Sequence, residues 1–346
     1  MHNELYNFKL NIDWKLINVI SEIDRFDSNW IAIERKEGKS LKELKSIATV
    51  RSVGASNRIE GNTMSDEEVD VLIKKIDITN LSDRDSQEVA GYFEVLDLIS
   101  ESYKNIRVTD SYIKSLHNIL MKYSAKDDWH KGNFKVHSNA VEASFPDGTK
   151  QVIFKTTEAG FATEDAIRQL LNWYNSETEV HALIKVASFV YEFLSIHPFQ
   201  DGNGRLSRLI TTLLLLQNGY KWIQYVSFEH EIENRKNEYY QVLRSCQAQR
   251  PNEDVTLWVQ FFLNCVANIQ IQLMTKLEKG GVETQLSPKE KLIFTIIQNR
   301  PTIQSGEISE KLAIPAPTVK RILSELLNKE LIEKHGSGRN VSYTIK

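Results

Sequence analysis

Cysteine is almost missing from this chain. Two residues, Cys246 and Cys265, occur among 346, too few and too isolated for a disulfide framework or a thiolate zinc site. Both lie in apolar, helix-like surroundings, which predicts buried thiols. Long apolar runs are missing too. The longest, Leu213–Leu216, is far short of the roughly 20 residues a membrane helix needs. No cationic stretch followed by an apolar core opens the chain, so no secretory leader is expected. Charge of one sign is also scarce: 43 Lys and Arg face 46 Asp and Glu, a net of −3. Any basic surface for nucleic acid must then be local. These absences predict a cytoplasmic protein with no membrane partner.

What is present is mostly helical periodicity. Apolar residues recur three and four apart over 12–35, 41–53, 65–76, 86–103, 110–121 and 164–175. Residues 181–196 are apolar on most faces, which predicts a central buried helix, and 205–217 are similar. One stretch departs from helix. Residues 133–156 alternate around Pro146-Asp147-Gly148 and read as a β-hairpin. Such a hairpin is marginal alone and needs a helical body beneath it, on which it would serve as a flap.

Glu278-Lys279-Gly280-Gly281 reads as a linker, its glycines ending the preceding helix. Ser287-Pro288-Lys289-Glu290 then reads as a capped helix start. Helices over about 288–299, 304–313 and 316–329, followed by alternation over 331–345, outline a winged helix. The expected domains are an N-terminal helical region (1–105), a core (106–278) and a winged-helix domain (285–346).

The chemistry concentrates in His197-Pro-Phe-Gln-Asp-Gly-Asn-Gly-Arg-Leu-Ser-Arg208. Pro198 cannot continue the buried helix. Gly202-Asn203-Gly204 is a turn whose glycines let backbone amides approach a ligand. A helix starting near Arg205 would offer an anion free N–H donors and the positive end of its dipole. Arg205 and Arg208, three apart, share a face and can reach one polyphosphate. Asp201 suits Mg²⁺ held through one carboxylate. His197 has the pKa range of a general base. The GxxxxGK[ST] pattern of a Walker loop is absent.

This stretch is similar to the Fic family signature, HxFx[D/E]GNGRxxR, at every fixed position, and the resemblance extends over roughly 50–265. It implies an all-α Fic core with a small β-hairpin flap, here followed by the winged helix. It implies a protein adenylyltransferase: an enzyme that uses ATP and Mg²⁺ to place AMP on a Ser, Thr or Tyr hydroxyl of a target protein, releasing pyrophosphate. By position, His197 would be the base and Asp201 the metal ligand. The backbone of Gly202, Asn203, Gly204, Arg205, Leu206 and Ser207 would cradle the phosphates, with Asn203 and Arg205 orienting them and Arg208 on the γ-phosphate. Asn234, followed by Tyr239-Tyr240, resembles the family's segment near the adenosine. Upstream, Ser56-Asn57-Arg58-Ile59-Glu60-Gly61 matches [S/T]xxxE[G/N], the pattern of the family's inhibitory helix, here about 50–61. The resemblance implies Glu60 paired with Arg208, with Ser56 on the same face.

Ordinary roles exist for the same residues. Asp201 suits a helix cap, Glu60 a solvated helix face, Asn234 a helix start, and Tyr239 and Tyr240 a core. His117, His130 and His137 have no metal-ligand spacing. Other functions stay open: removal of AMP with Glu60 orienting a water, transfer of another phosphate-containing group, or an ATP-sensing DNA-binding regulator. In the C-terminal domain ten Lys and Arg exceed six Glu, a mild excess that fits DNA contact through Lys320, Arg321, Lys334 and Arg339 or a protein interaction module. The N-terminal helix, with Trp14, Leu16, Ile17 and Ile20, would suit a second copy of the chain.

Overall fold

A helix that is apolar on most faces has to be covered on most faces. In the computed structural model, α6 (Ala182–Ile196) is the central element, with Val186, Ala187, Phe189, Tyr191 and Phe193 all fully buried. The structure describes residues 6, 8–75, 81, 83–144, 150–284, 287–300, 302–329, 331–336 and 341–345. It divides into two compact units, residues 1–274 and 275–346.

In the first unit α6 packs between α5 (Phe161–Ser176) and α7 (Asn203–Gln217). Around them lie α1 (Trp14–Ile59), α2 (Asp66–Lys74), α3 (Arg84–Ser102) and α4 (Asp110–Leu120). Then come α8 (Phe228–Asn234), α9 (Lys236–Gln247) and α10 (Thr256–Thr284). Strands β1 (Ala140–Ser144) and β2 (Lys150–Lys155) form an antiparallel hairpin with a register shift between Val141 and Glu142. The Pro146-Asp147-Gly148 turn lies outside the described residues. Polar ties fasten the long helices: the Tyr220 hydroxyl donates to Asp24 at 2.8 Å, and Trp258 Nε1 donates to the Ala187 carbonyl at 2.8 Å. Both cysteines are buried.

Two readings of the sequence need correction. The segments 12–35 and 41–53 are one helix of 46 residues. Gly38 lies in open space, and the roughly 1 kcal/mol that a helical glycine costs is offset by the helix formers and packing on either side. Gly280-Gly281 likewise does not end a helix, since α10 continues to Thr284. Of the N-terminal apolar set, Leu16 is buried while Trp14 and Ile17 are exposed. The stretch Thr256–Glu278 is long and apolar enough to cross a membrane by composition, yet 56% of that window is buried inside the protein, as befits a core helix.

The second unit holds α11 (Pro288–Asn299), β3 (Ile303–Gln304), α12 (Ser305–Leu312), α13 (Ala316–Asn328), β4 (Ile332–His335) and β5 (Ser342–Ile345). The sheet order is β3-β5-β4; β3, too short for a period of two to show, was not legible. Ser287 and Glu290 form a reciprocal capping box at the start of α11. Ile297, Ile308, Val319, Ile322 and Leu326 make the core. Replacing Ile322 by Ala should cost about 2–5 kcal/mol, read as a lower urea midpoint and faster amide exchange across α11, α12 and α13.

Candidate active site

The chain reverses direction at the end of α6. His197 takes a left-handed conformation, φ 53°, and Gly202 another at φ 77°. Just after Gly202, Asn203 closes the loop on itself: its Oδ1 accepts from Phe199 N at 2.9 Å and its Nδ2 donates to the Phe199 carbonyl at 2.8 Å. This amide therefore shapes the loop. The first backbone bond of α7 runs from Leu206 N to the Gly202 carbonyl. The amides of Asn203, Gly204 and Arg205 precede it, where a helix presents free donors. Leu206 is fully buried, and the Ser207 hydroxyl donates to the Gly204 carbonyl at 2.7 Å.

A cavity of about 180 Å³ opens above this turn, lined by Glu60, Leu194, His197, Gln200, Asp201 to Arg205, Arg208, Tyr239, Tyr240, Leu243, Arg244 and Gln247. That is less than the roughly 300–1,000 Å³ usual for ligand pockets, and Glu60 fills part of it. Burial, followed by the Lys135 cation, pushes the His197 imidazole down to about 4, so it is neutral at pH 7. Its Nδ1 lies 3.4 Å from the Leu194 carbonyl, which leaves Nε2 the lone pair. Arg205 is 3.2 Å from Glu88 and 3.6 Å from Asp201. Its Nη1 faces the Glu88 carboxylate and its Nη2 the Asp201 carboxylate, while its buried Nε has no hydrogen-bond partner.

Asp201 is half-exposed. Burial opposes its ionisation, but Arg205, the Gly202 N–H and Arg84 hold its carboxyl below the usual value. No cluster of three metal-ligating side chains occurs among the described residues. A magnesium ion that takes one protein carboxylate and draws its other ligands from phosphate and water fits that donor set.

The end of α1 enters the same cavity. Arg208 Nε donates to Ser56 Oγ at 2.8 Å, while Nη2 donates to the Ser56 carbonyl at 3.0 Å and to Glu60 Oε1 at 2.7 Å. Burial works against the Arg208 cation, but Glu60, Tyr239, Tyr92 and Tyr240 together raise its pKa above the ordinary value and the guanidinium stays charged. A Cβ on Gly204 would lie 2.3 Å from Glu60 Oε1, so a glycine is what admits the carboxylate. Arg58 fixes this end of α1 by a bidentate pair with Glu233 at 2.7 and 3.0 Å.

Residues 107–215 match the Fic/DOC family model. This chain carries a Fic domain. Residues 286–333 match the winged helix-turn-helix DNA-binding family. The protein adenylyltransferase Fic of Drosophila yakuba is 26% identical over 239 residues, 68% of this chain and 43% of that protein. Its Drosophila virilis counterpart is 26% identical over 268 residues, 72% and 50%. The chain thus spans about half the length of the curated relatives it matches. Among solved structures, a Fic family protein from Desulfovibrio desulfuricans superposes with a TM-score of 0.63 at 24% identity, covering 97% of each chain. A Fic domain containing signaling protein from Bacteroides thetaiotaomicron gives 0.59 at 20%, covering 74% and 97%.

Most of the expected site residues of the Fic domain meet around the cavity, but Asn234 does not. It ends α8 and is exposed, because the wall comes from the next helix, α9, through Tyr239, Tyr240 and Arg244. Sequence reasoning also missed His117. This buried imidazole stacks on Phe199 with centroids 3.8 Å apart. Its Nδ1 accepts from Gly132 N at 2.9 Å, and Nε2 donates to the Asp201 carbonyl at 3.0 Å. It anchors the loop from 84 residues away, with no local signal to mark it.

Burial lowers the His117 pKa from 6.5 to about 4. Between those values the unfolded chain binds more protons, so stability falls as pH drops from about 6.5 to about 4 and is unaffected above. His117→Gln should flatten part of this slope in urea titrations run between about pH 7 and about pH 4. A slope unchanged in the variant removes His117 as a contributor.

Proposed function

We propose that this protein is an adenylyltransferase that moves AMP from ATP to a Ser, Thr or Tyr hydroxyl of a target protein, and that the Ser56–Glu60 turn restrains it. The observation that carries the proposal is the convergence in one cavity of a neutral imidazole, a carboxylate and the guanidinium groups of Arg205 and Arg208 around the start of α7. The relatives named protein adenylyltransferase support the same reaction class.

In this reading His197 Nε2 takes the proton of the target hydroxyl, and its oxygen attacks the α-phosphorus. The bond to the β-phosphate breaks, and its electron pair leaves with pyrophosphate. Arg205 and the amides of Asn203 and Gly204 hold phosphate oxygens, so catalysis rests on in-line positioning and charge stabilisation. Magnesium held by Asp201 supplies neutralisation of phosphate charge. The hairpin, a two-stranded antiparallel sheet, suits a target segment added as a strand. Arg208 is the γ-phosphate donor in this scheme, and Glu60 occupies it.

Incubation with α-labelled ATP and Mg²⁺ tests the proposal. Wild type should label weakly, Glu60→Gly about tenfold more strongly, and His197→Ala not at all. Label arriving from γ-labelled ATP instead would exclude AMP transfer. Equal labelling of wild type and Glu60→Gly removes the restraint and leaves the transferase. Release of AMP from pre-labelled protein by wild type, but not by Glu60→Gly, is the result that favours the reverse reaction.

The match of residues 286–333 to a DNA-binding family favours DNA as a second partner. Lys320 and Arg321 are exposed on α13 and Lys334 on β4; Arg339 lies outside the described residues. A third helix of this kind enters the major groove. Lys320→Glu with Arg321→Glu should weaken duplex binding about tenfold or more at low salt and reduce its salt dependence. Binding unaltered by both changes assigns this unit to another partner.

A further inference from the structure

Lys135 is the most deeply buried lysine near the site, 1% exposed. All three of its ammonium donors go to neutral acceptors: Asn139 Oδ1 at 3.0 Å, Thr156 Oγ1 at 2.7 Å and the Ile196 carbonyl at 3.0 Å. Its own backbone N–H donates to the Pro198 carbonyl at 2.8 Å. Asn139 Nδ2 donates to the Phe199 carbonyl at 3.0 Å. Asn139 directly precedes β1 and Thr156 directly follows β2, so both belong to the stem of the flap. Ile196, Pro198 and Phe199 flank His197, whose backbone is already in the left-handed region.

A buried ammonium is costly to desolvate, and an apolar side chain would fill the same space if packing were the only demand. The Ile196 carbonyl is among the last of α6, at the negative end of the helix dipole, where a cation is favoured. Lys135 therefore caps α6 at the residue before the imidazole while gripping both ends of the hairpin.

We propose that Lys135 is a positioning residue for transfer: it fastens the flap stem to the turn that carries His197, so that a polypeptide laid on the flap meets the imidazole in fixed register. The assignment rests on the reading of His197 as base and of the flap as docking edge. Two electrostatic consequences agree with the geometry. Burial lowers the Lys135 pKa to about 8, which leaves it charged at pH 7, and its charge disfavours protonation of His197. Glu60 at the end of α1 and Asp201 on the loop pull His197 the other way. Arg205 and Arg208 on α7 and Arg244 on α9 line the same cavity.

The test uses the full chain carrying Glu60→Gly, with Lys135→Met or Lys135→Arg added. Histidine labelled with ¹³C reports the His197 titration by NMR, assigned by the signal lost in His197→Ala. In Lys135→Met the imidazole should titrate at higher pH, and AMP transfer should fall about tenfold or more. ATP affinity should stay within about twofold, because Lys135 does not line the cavity. Lys135→Arg should restore most of both. An unmoved His197 titration with transfer within twofold of the parent overturns the proposal. So does equal loss in both variants accompanied by the same drop in melting temperature, since that marks a purely structural role. If neither parent nor variants transfer label, the transferase reading fails and the role of Lys135 in transfer falls with it, whereas a parent that transfers beside an unaffected Lys135→Met overturns the Lys135 assignment alone.

Discussion

A buried guanidinium has to be paired, and much of this site follows from that demand on Arg208. With only 3% of its side chain exposed, it takes the Ser56 hydroxyl, the Ser56 carbonyl and the Glu60 carboxylate as partners. Removing one partner of a buried ion pair typically costs about 3–5 kcal/mol. Glu60 is a third exposed, which places this pair toward the lower end through screening by solvent. The same arginine cannot give the same N–H donors to a carboxylate and to a phosphate. In the proposed function, competition between two anions for this one cation would link the N-terminal helix to the nucleotide chemistry.

The loop that presents Arg208 is held from several directions. Asn203 bridges the Phe199 amide and carbonyl, His117 binds the Asp201 carbonyl, and Lys135 binds the carbonyl before His197. Backbone strain at a non-glycine residue with positive φ, of order 1–3 kcal/mol, persists where surrounding contacts over-determine it, and His197 is such a residue. Its conformation is fixed by bonds to its neighbours' backbone groups more than by its own side chain. The imidazole is thereby left to the cavity.

The legible part of this site is the local part. Glycine turns, arginines three apart and a Ser–Glu pair four apart are relations within one or two helical turns, so their meaning survives without the fold. The residues that reach the loop from elsewhere were invisible for the opposite reason. His117 lies 84 positions from its acceptor and Lys135 lies 61 from Ile196, and nothing in their surroundings distinguishes them from ordinary core and surface residues. Asn234 failed differently: asparagine is common at helix ends, and here it closes α8 while α9 supplies the wall. At the fold level, periodicity located most helices, but it divided α1 in two, and the paired glycines misled at the end of α10. Gly38 and the Gly280-Gly281 pair lie inside helices whose packing outweighs the local penalty.

Gly204 shows why the restraint and the phosphate cradle share one design. A side chain there would collide with Glu60 Oε1 at 2.3 Å and approach Arg208 Nη1 at 3.4 Å, so the absence of a Cβ opens the space that either anion fills. A carboxylate brings one negative charge to this space, whereas the triphosphate of the proposed function would bring several. Only a difference in affinity for the two arrangements can shift their balance. Under the proposed function the greater charge of a nucleotide would favour one arrangement, and the Arg58–Glu233 pair, which fixes the end of α1, would favour the other.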